Sequence, residues 1–307
     1  MAGTKAVLLM AYGTPYQTGD IMDYYTNIRH GSKPSADLYN NLKDRYDAIG
    51  GTSPLADLTN QQAKALQTLL DKDYPGKFKV YVGLKYITPF IGEAVDQIAA
   101  DGITDIYGVP LAPQYSTFSS GDYHNRAKDE LKKYPNISYT PAKSWWKNEN
   151  LLNFWSQQLV DLKGLTQQQD TRVILSAHSL PLRVIKGGDP YKGEVINDAK
   201  TIAQKAGLNS SQYTVGWQSA GRTEEEWIGP DFIKTAEDLI KENGVKHIIS
   251  GSIGFITDNL EILYDVDIEL KDSIEKLGGQ LTRLRLPNTD PLLIKALEET
   301  VLALVNK

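Results

Sequence analysis

The feature that most limits how this chain can fold is that it repeats itself. VLLMAYGTP at 7–15 is matched by VILSAHSLP at 173–181, VGLK at 82–85 by VGWQ at 215–218, and DGITDIYGVPLAPQYS at 101–116 by NGVKHIISGSIGFITD at 243–258. Any one of these is ordinary α/β strand–glycine grammar; their shared order points to a duplicated domain. Short apolar runs alternate with longer amphipathic stretches throughout, the pattern of βαβ units and a parallel sheet. Strands are expected at 5–11, 78–84, 104–110, 171–177, 212–217 and 245–251. Helices are expected at 57–72, 90–101, 121–133, 149–162, 194–206, 231–242, 257–273 and 290–305. The fold class is therefore α/β, with two similar domains, each a parallel sheet flanked by helices, facing across a cleft. The polar stretch KGLTQQQDT at 163–171 is the natural linker. It separates an N-terminal domain, 1–162, from a C-terminal domain, 171–307, whose last helix is expected to pack back on the first.

The repeat sets Tyr12 and His178 at equivalent places, each just past the first strand of its half. In open parallel sheets ligands bind beyond the carboxyl ends of the strands. Two such halves face to face would hold Tyr12 and His178 on opposite walls of one cleft. The offset between the copies falls from 166 residues at Val7 and Val173 to 133 at Val82 and Val215, so the first half carries about 33 extra residues within 15–78. That insert, with DYYTNIRHGSKPS and LKDRYDAIGGTSPLA, is rich in Tyr, Arg and Gly. Extra material at a cleft rim commonly shapes a ligand site.

Composition removes several alternatives. The chain has no cysteine, which excludes disulfides, thiolate zinc sites and cysteine-ligated iron–sulfur clusters. A net charge of −5 argues against a nucleic-acid partner, which needs a broad basic face. No apolar run approaches the roughly 20 residues of a membrane span, and the N-terminal MAGTKAVLLMAYG reads as a first strand rather than a signal peptide. A cytoplasmic location without stable membrane anchoring follows as the expectation. GG at 50–51 lacks the spacing of a dinucleotide fingerprint, and no phosphate-loop motif is present, so nucleotide cofactors are not expected.

Among four histidines, His178 stands out by position. A strand-end histidine is often satisfied by backbone partners; a place at the ligand end of a parallel strand points equally to chemistry. Its neighbour Ser179 lacks the G-x-S-x-G elbow of a serine hydrolase. A partner lies in GFITDNLEILYDVDIEL (254–270), where Glu261, Asp265 and Glu269 fall at i, i+4, i+8 and stack along one helix face. Ile262, Leu263, Val266 and Ile268 make the other faces apolar, leaving a narrow acidic stripe in a helix expected to be buried. Such a stripe suits divalent cations moving in and protons moving out. One histidine with carboxylates suits Fe²⁺ or Zn²⁺ but is too ligand-poor for a closed structural site.

Taken together, AYGTP (11–15), YYTNIRHG (24–31), RYDAIGGTSPL (45–55), LAPQYSTFS (111–119), SAHSLP (176–181), GWQS…W-x-GPD (216–231), NLEILYDVDIE (259–269) and PNTDP (287–291) resemble the ferrochelatases. The likeness is greatest to the short coproporphyrin ferrochelatases of Gram-positive bacteria, and it covers nearly the whole chain. The resemblance implies two Rossmann-like domains about a cleft and insertion of Fe²⁺ into a porphyrin. It implies that His178 and Glu261 form the metal-binding and proton-abstracting pair, with Tyr12 able to ligate iron from the other side. Arg29, Arg45, Tyr46, Ser53 and Tyr123 match positions that hold propionates, and Asp265 and Glu269 match an acidic line leading outward. Tyr86 and Gln114 depart from the pattern, standing where relatives often have histidine.

The resemblance implies coproporphyrin III and Fe²⁺ as substrates and coproheme as product. No cofactor or iron–sulfur cluster is expected, and the protein is expected to act as a monomer with transient handover to other haem-pathway enzymes. Arg29, Lys33, Lys43 and Arg45, close together in an otherwise acidic chain, favour a substrate with four propionates over one with two. The alternatives are protoporphyrin IX as substrate, cobalt insertion into a related tetrapyrrole, or a porphyrin- or haem-binding protein without turnover.

Overall fold

The computed structural model describes residues 3–221 and 224–306. The first half runs β1 (Lys5–Ala11), α1 (Ile21–Ile28), α2 (Ala36–Ala48), α3 (Leu55–Asp73), β2 (Phe78–Leu84), α4 (Ile91–Ala100), β3 (Asp105–Pro110), α5 (Ser120–Leu131), β4 (Ser138–Pro141) and α6 (Glu149–Asp161). A single helical turn, α7 (Lys163–Thr166), occupies the stretch expected to be a linker. The second half runs β5 (Thr171–His178), α8 (Leu182–Lys186), α9 (Tyr191–Lys205), β6 (Tyr213–Gln218), α10 (Phe232–Asn243), β7 (His247–Gly251), a π-helix (Ile262–Leu270), α11 (Lys271–Lys276), β8 (Gln280–Arg283) and α12 (Pro291–Val305).

The duplication is visible in strand order. One sheet is β2-β1-β3-β4 and the other β6-β5-β7-β8, with every pair parallel. In each, the first strand lies between the second and third, which places Tyr12 and His178 at matching points beyond the sheet centre. β1 and β5 are buried over most of their length because helices cover both faces, and so they read as continuous apolar runs rather than alternating ones.

Three features differ from expectation. β4 and β8 are additional four-residue edge strands, SYTP and QLTR, without the apolar run that marks a central strand. The insert folds as α1 and α2, the latter opened by Ser35, whose Oγ accepts from the Leu38 N–H. The helix expected over 257–273 is wound as a π-helix across 262–270 and returns to α geometry only in α11. One apolar cluster runs through both halves, joining Val7 and Leu9 of β1, Val173 and Leu175 of β5, and Leu293, Leu297 and Val301 of α12. α12 packs against α3 and α6 of the first half.

Candidate active site

His178 is the last residue of β5 and is half-buried. Its Nδ1 lies 2.5 Å from the Ser179 carbonyl oxygen. A carbonyl can only accept, so Nδ1 carries the proton and the Nε2 lone pair is left for a proton or a metal. The backbone carbonyl of His178 accepts from the Tyr191 hydroxyl at 3.0 Å. Ser179 is fully buried, and its Oγ donates to the Ile228 carbonyl at 2.7 Å, so it is a structural hydroxyl and not a nucleophile. The loop after β7 comes close to the end of β5 because residue 254 is glycine: a Cβ there would stand 2.5 Å from Cβ of Ala177. That approach sets the Phe255 ring 6.4 Å from the imidazole.

The Tyr12 wall is aromatic. Gly13 has φ +87, a left-handed turn that ends the strand, and its carbonyl accepts from the Tyr24 hydroxyl at 3.1 Å. Tyr12 keeps 39 % of its surface exposed, packed edge-on to Tyr86 at 4.7 Å and to Tyr24 at 6.5 Å. Desolvation holds its phenol well above the ordinary tyrosine range, helped by Tyr86, Glu261, Tyr123 and Tyr46 nearby. Burial likewise raises the Tyr46 and Tyr123 phenols, with Glu261 contributing to both. Glu261 belongs to the second half, so its field on Tyr12, Tyr46 and Tyr123 places the tyrosines of one half and a carboxylate of the other in one space.

Sequence reasoning missed a cation on this wall. Lys85 follows β2, is 7 % exposed, and lies over the rings of Tyr86, Tyr123 and Tyr12 at 4.9, 5.6 and 5.9 Å. Its Nζ is 3.0 Å from Asp122, whose same oxygen lies 3.0 Å from Arg126 Nε. Desolvation pulls the Asp122 carboxyl upward, yet Arg126 and Lys85 together hold it below its ordinary value. Two cations thus share one carboxylate on the Tyr12 wall. A lone lysine after a strand carries no sequence signal for this; apart from that to Tyr86, the contacts are long-range.

The opposite wall is acidic. Glu261 immediately precedes the π-helix, Asp265 is buried within it, and Glu269 is half-buried further along. The i→i+5 winding gives a turn between four and five residues long, which keeps positions four apart near one face. Asp265 accepts a short hydrogen bond from the Ser219 hydroxyl and lies 3.4 Å from Arg45 Nη1. Desolvation raises its carboxyl to about 6; Ser219 opposes that, Glu261 adds to it, Arg45 opposes it, and Glu269 adds a little more. Arg45 also stacks on the Tyr264 ring at 4.7 Å. Among the described residues no group of three His, Asp or Glu side chains forms a closed metal-binding cluster.

The fold therefore gathers Tyr12, Tyr46, Tyr123 and Glu261, and pairs Arg45 with Asp265. Tyr46 shares a 2.9 Å hydrogen bond with the Thr14 hydroxyl. Ser53 Oγ accepts from the Leu55 N–H at 3.2 Å and keeps its own proton to donate. Arg29 is exposed at the end of α1, and no carboxylate pairs with it among the described residues. Lys43 is paired with Asp47 of its own helix at 2.5 Å. Of the two departures noted in the sequence, Tyr86 packs on Tyr12. Gln114 is buried, donating to Asp198 at 2.7 Å and to the Ile253 carbonyl at 3.2 Å, and so ties the halves together.

Comparison with known proteins agrees with this architecture. The sirohydrochlorin chelatase SirB of Bacillus subtilis subspecies spizizenii, solved with cobalt, superposes with a TM-score of 0.58 at 12% identity, covering 99% of this chain and 96% of that one. CbiX, the terminal enzyme of siroheme biosynthesis in denitrifying bacteria, gives 0.54 at 14% identity over 97% and 99% of the two chains. Both likenesses show the shared fold. At the sequence level, the coproporphyrin III ferrochelatase of Geobacillus kaustophilus is 43% identical, covering 97% of this chain and 95% of its own. That of Staphylococcus aureus is 42% identical over 98% and 99%. The ferrochelatase family model matches residues 4–304. With two duplicated parallel sheets, a tyrosine wall and an acidic wall, and these relatives, the chain belongs to the ferrochelatase family.

Proposed function

We propose that the chain inserts Fe²⁺ into coproporphyrin III, releasing two protons and giving coproheme. The observation that carries this reading is the meeting of the halves at the acidic stripe: Arg45 of the first half lies 3.4 Å from Asp265 of the second and 4.7 Å over the Tyr264 ring. It is supported by full-length identity of 41–44% to proteins described as coproporphyrin III ferrochelatases.

A flat porphyrin directs two pyrrole N–H protons into the ring plane, and both must leave as iron enters. His178 offers the free Nε2 to take a proton or meet the metal, with Nδ1–H fixed on the Ser179 carbonyl. In this reading Glu261 is its anionic partner, and Asp265, titrating near 6, accepts and releases protons on the way to Glu269 and solvent. Desolvation and, to a lesser degree, Glu261 oppose ionisation of Tyr12 before substrate enters, so in this reading it meets iron only once the ion sits in the ring. Arg29, exposed at the rim, and Arg45, which can exchange Asp265 for a propionate, anchor the periphery with Tyr46, Ser53 and Tyr123. Charge-assisted hydrogen bonds of this kind contribute about 1.5–3 kcal/mol each.

No cofactor beyond the two substrates enters this scheme. A four-propionate substrate is water-soluble, which fits an enzyme that works in the cytoplasm. The test is anaerobic incubation with Fe²⁺ and either coproporphyrin III or protoporphyrin IX, followed by absorption spectra. The expected result is rapid metallation of the first and slow metallation of the second. Equal or faster metallation of protoporphyrin IX would overturn the choice of substrate.

A further inference from the structure

Residues 114–117, which follow β3 in the first half, are gripped by carboxylates of the second. Asp189 Oδ2 accepts from the Ser116 hydroxyl at 3.1 Å, the Thr117 N–H at 2.6 Å and the Thr117 hydroxyl at 2.6 Å. Glu194 accepts from the Tyr115 N–H at 2.7 Å and Asp198 from Gln114 at 2.7 Å. Asp189 is 8 % exposed, and among the described residues no lysine or arginine pairs with it. Burying a carboxylate without a cation is costly, and a neutral acceptor could join two loops for less.

The second oxygen of Asp189 shows what the charge holds. Oδ1 accepts from the Tyr191 N–H at 2.9 Å, fixing the first residue of α9. The Tyr191 ring is buried against Trp217 at 6.0 Å, and its hydroxyl reaches back to the His178 carbonyl at 3.0 Å. A continuous set of bonds thus leads from Ser116 and Thr117, through Asp189 and Tyr191, to the backbone of His178. We propose that Asp189 and Tyr191 are positioning residues, through which the first half fixes the His178 imidazole of the second. This rests on the reading of His178 as the reacting group. The imidazole is then aimed only when the two halves are docked, because the bonds end on the backbone that carries it.

The test compares Tyr191→Phe, which keeps the ring on Trp217 and removes only the hydroxyl, with Asp189→Asn. Gln158→Ala serves as control: it removes a different pair of bonds between the halves, to the Arg285 backbone, outside the set that leads to His178. Three quantities are measured: kcat and KM for coproporphyrin III, thermal midpoint, and the imidazole NMR signals of His178, assigned by their loss in His178→Ala. Tyr191→Phe and Asp189→Asn should lower kcat about tenfold with KM within about twofold, as a slightly misaimed group does. The His178 signals should move in both. Gln158→Ala should lower the thermal midpoint and leave kcat and those signals in place. Normal kcat and unmoved signals in Tyr191→Phe overturn the proposal, as does an equal loss of kcat in Gln158→Ala, which would mean loosened halves. If His178→Ala itself turns over normally, the role of His178 falls, while the signals still decide whether Asp189 and Tyr191 position it.

Discussion

Removing the imidazole at 178 takes away an Nε2 left free because Nδ1 is committed to the carbonyl of the next residue, Ser179. His178→Ala should abolish metallation while leaving porphyrin affinity, read by fluorescence quenching, within about twofold, because peripheral anchors hold the substrate. Tyr12→Phe should alter the absorption spectrum of the bound iron product with a smaller effect on rate; an unchanged spectrum means the phenol does not reach iron. Asp265 gives a stability prediction. Its folded-state value, about 6, lies above the ordinary 3.8, so the folded protein keeps a proton that the unfolded chain gives up. The contribution of Asp265 to stability is fullest below about pH 4 and declines by roughly 3 kcal/mol as pH rises toward 6, because each pH step between the two values is worth about 1.4 kcal/mol. Urea titrations from pH 4 to 7 should show that slope in the difference between the wild type and Asp265→Asn. His178 and the carboxylates were legible because a strand end and a four-residue spacing are local patterns. Lys85 was not: beyond its neighbour Tyr86, nothing within the chain around it announces Asp122 and the rings of Tyr12 and Tyr123 brought up from elsewhere.

At the scale of elements, the two central strands with their two neighbours each could be read from apolar runs, because burial on both faces forces them. β4 and β8 could not, since a four-residue edge strand needs neither alternation nor an apolar run. The acidic stripe was read on a helix of the right place and the wrong winding: carboxylates four apart lie near one face in both α and π geometry, so the spacing does not separate them. The approach of the post-β7 loop to β5 is a sharper test of local packing. Gly254→Ala puts a methyl against Ala177 Cβ and Cα at 2.5 and 2.9 Å, contacts that backbone must relieve. Overpacking of this kind costs about 1–3 kcal/mol. The loss should appear in the urea midpoint, with activity falling further than stability because the displaced loop carries Phe255 against His178.

For the whole molecule, the cleft exists because two copies of one sheet are docked through polar clasps at 114–117 and an apolar cluster that ignores the boundary between them. The last helix belongs to that cluster, with Leu293, Leu297 and Val301 seated among residues of both copies. During synthesis this imposes an order. The ribosome finishes α6 long before it makes α12, and at about 5–20 residues per second the wait is roughly 7–30 seconds. Through that interval the apolar seats on α3 and α6 are uncovered. Ribosome-bound chains halted before residue 290 should therefore be cut by protease within the first half, and chains carrying α12 clear of the exit tunnel should resist. Protection before α12 emerges would mean that the first copy completes itself alone.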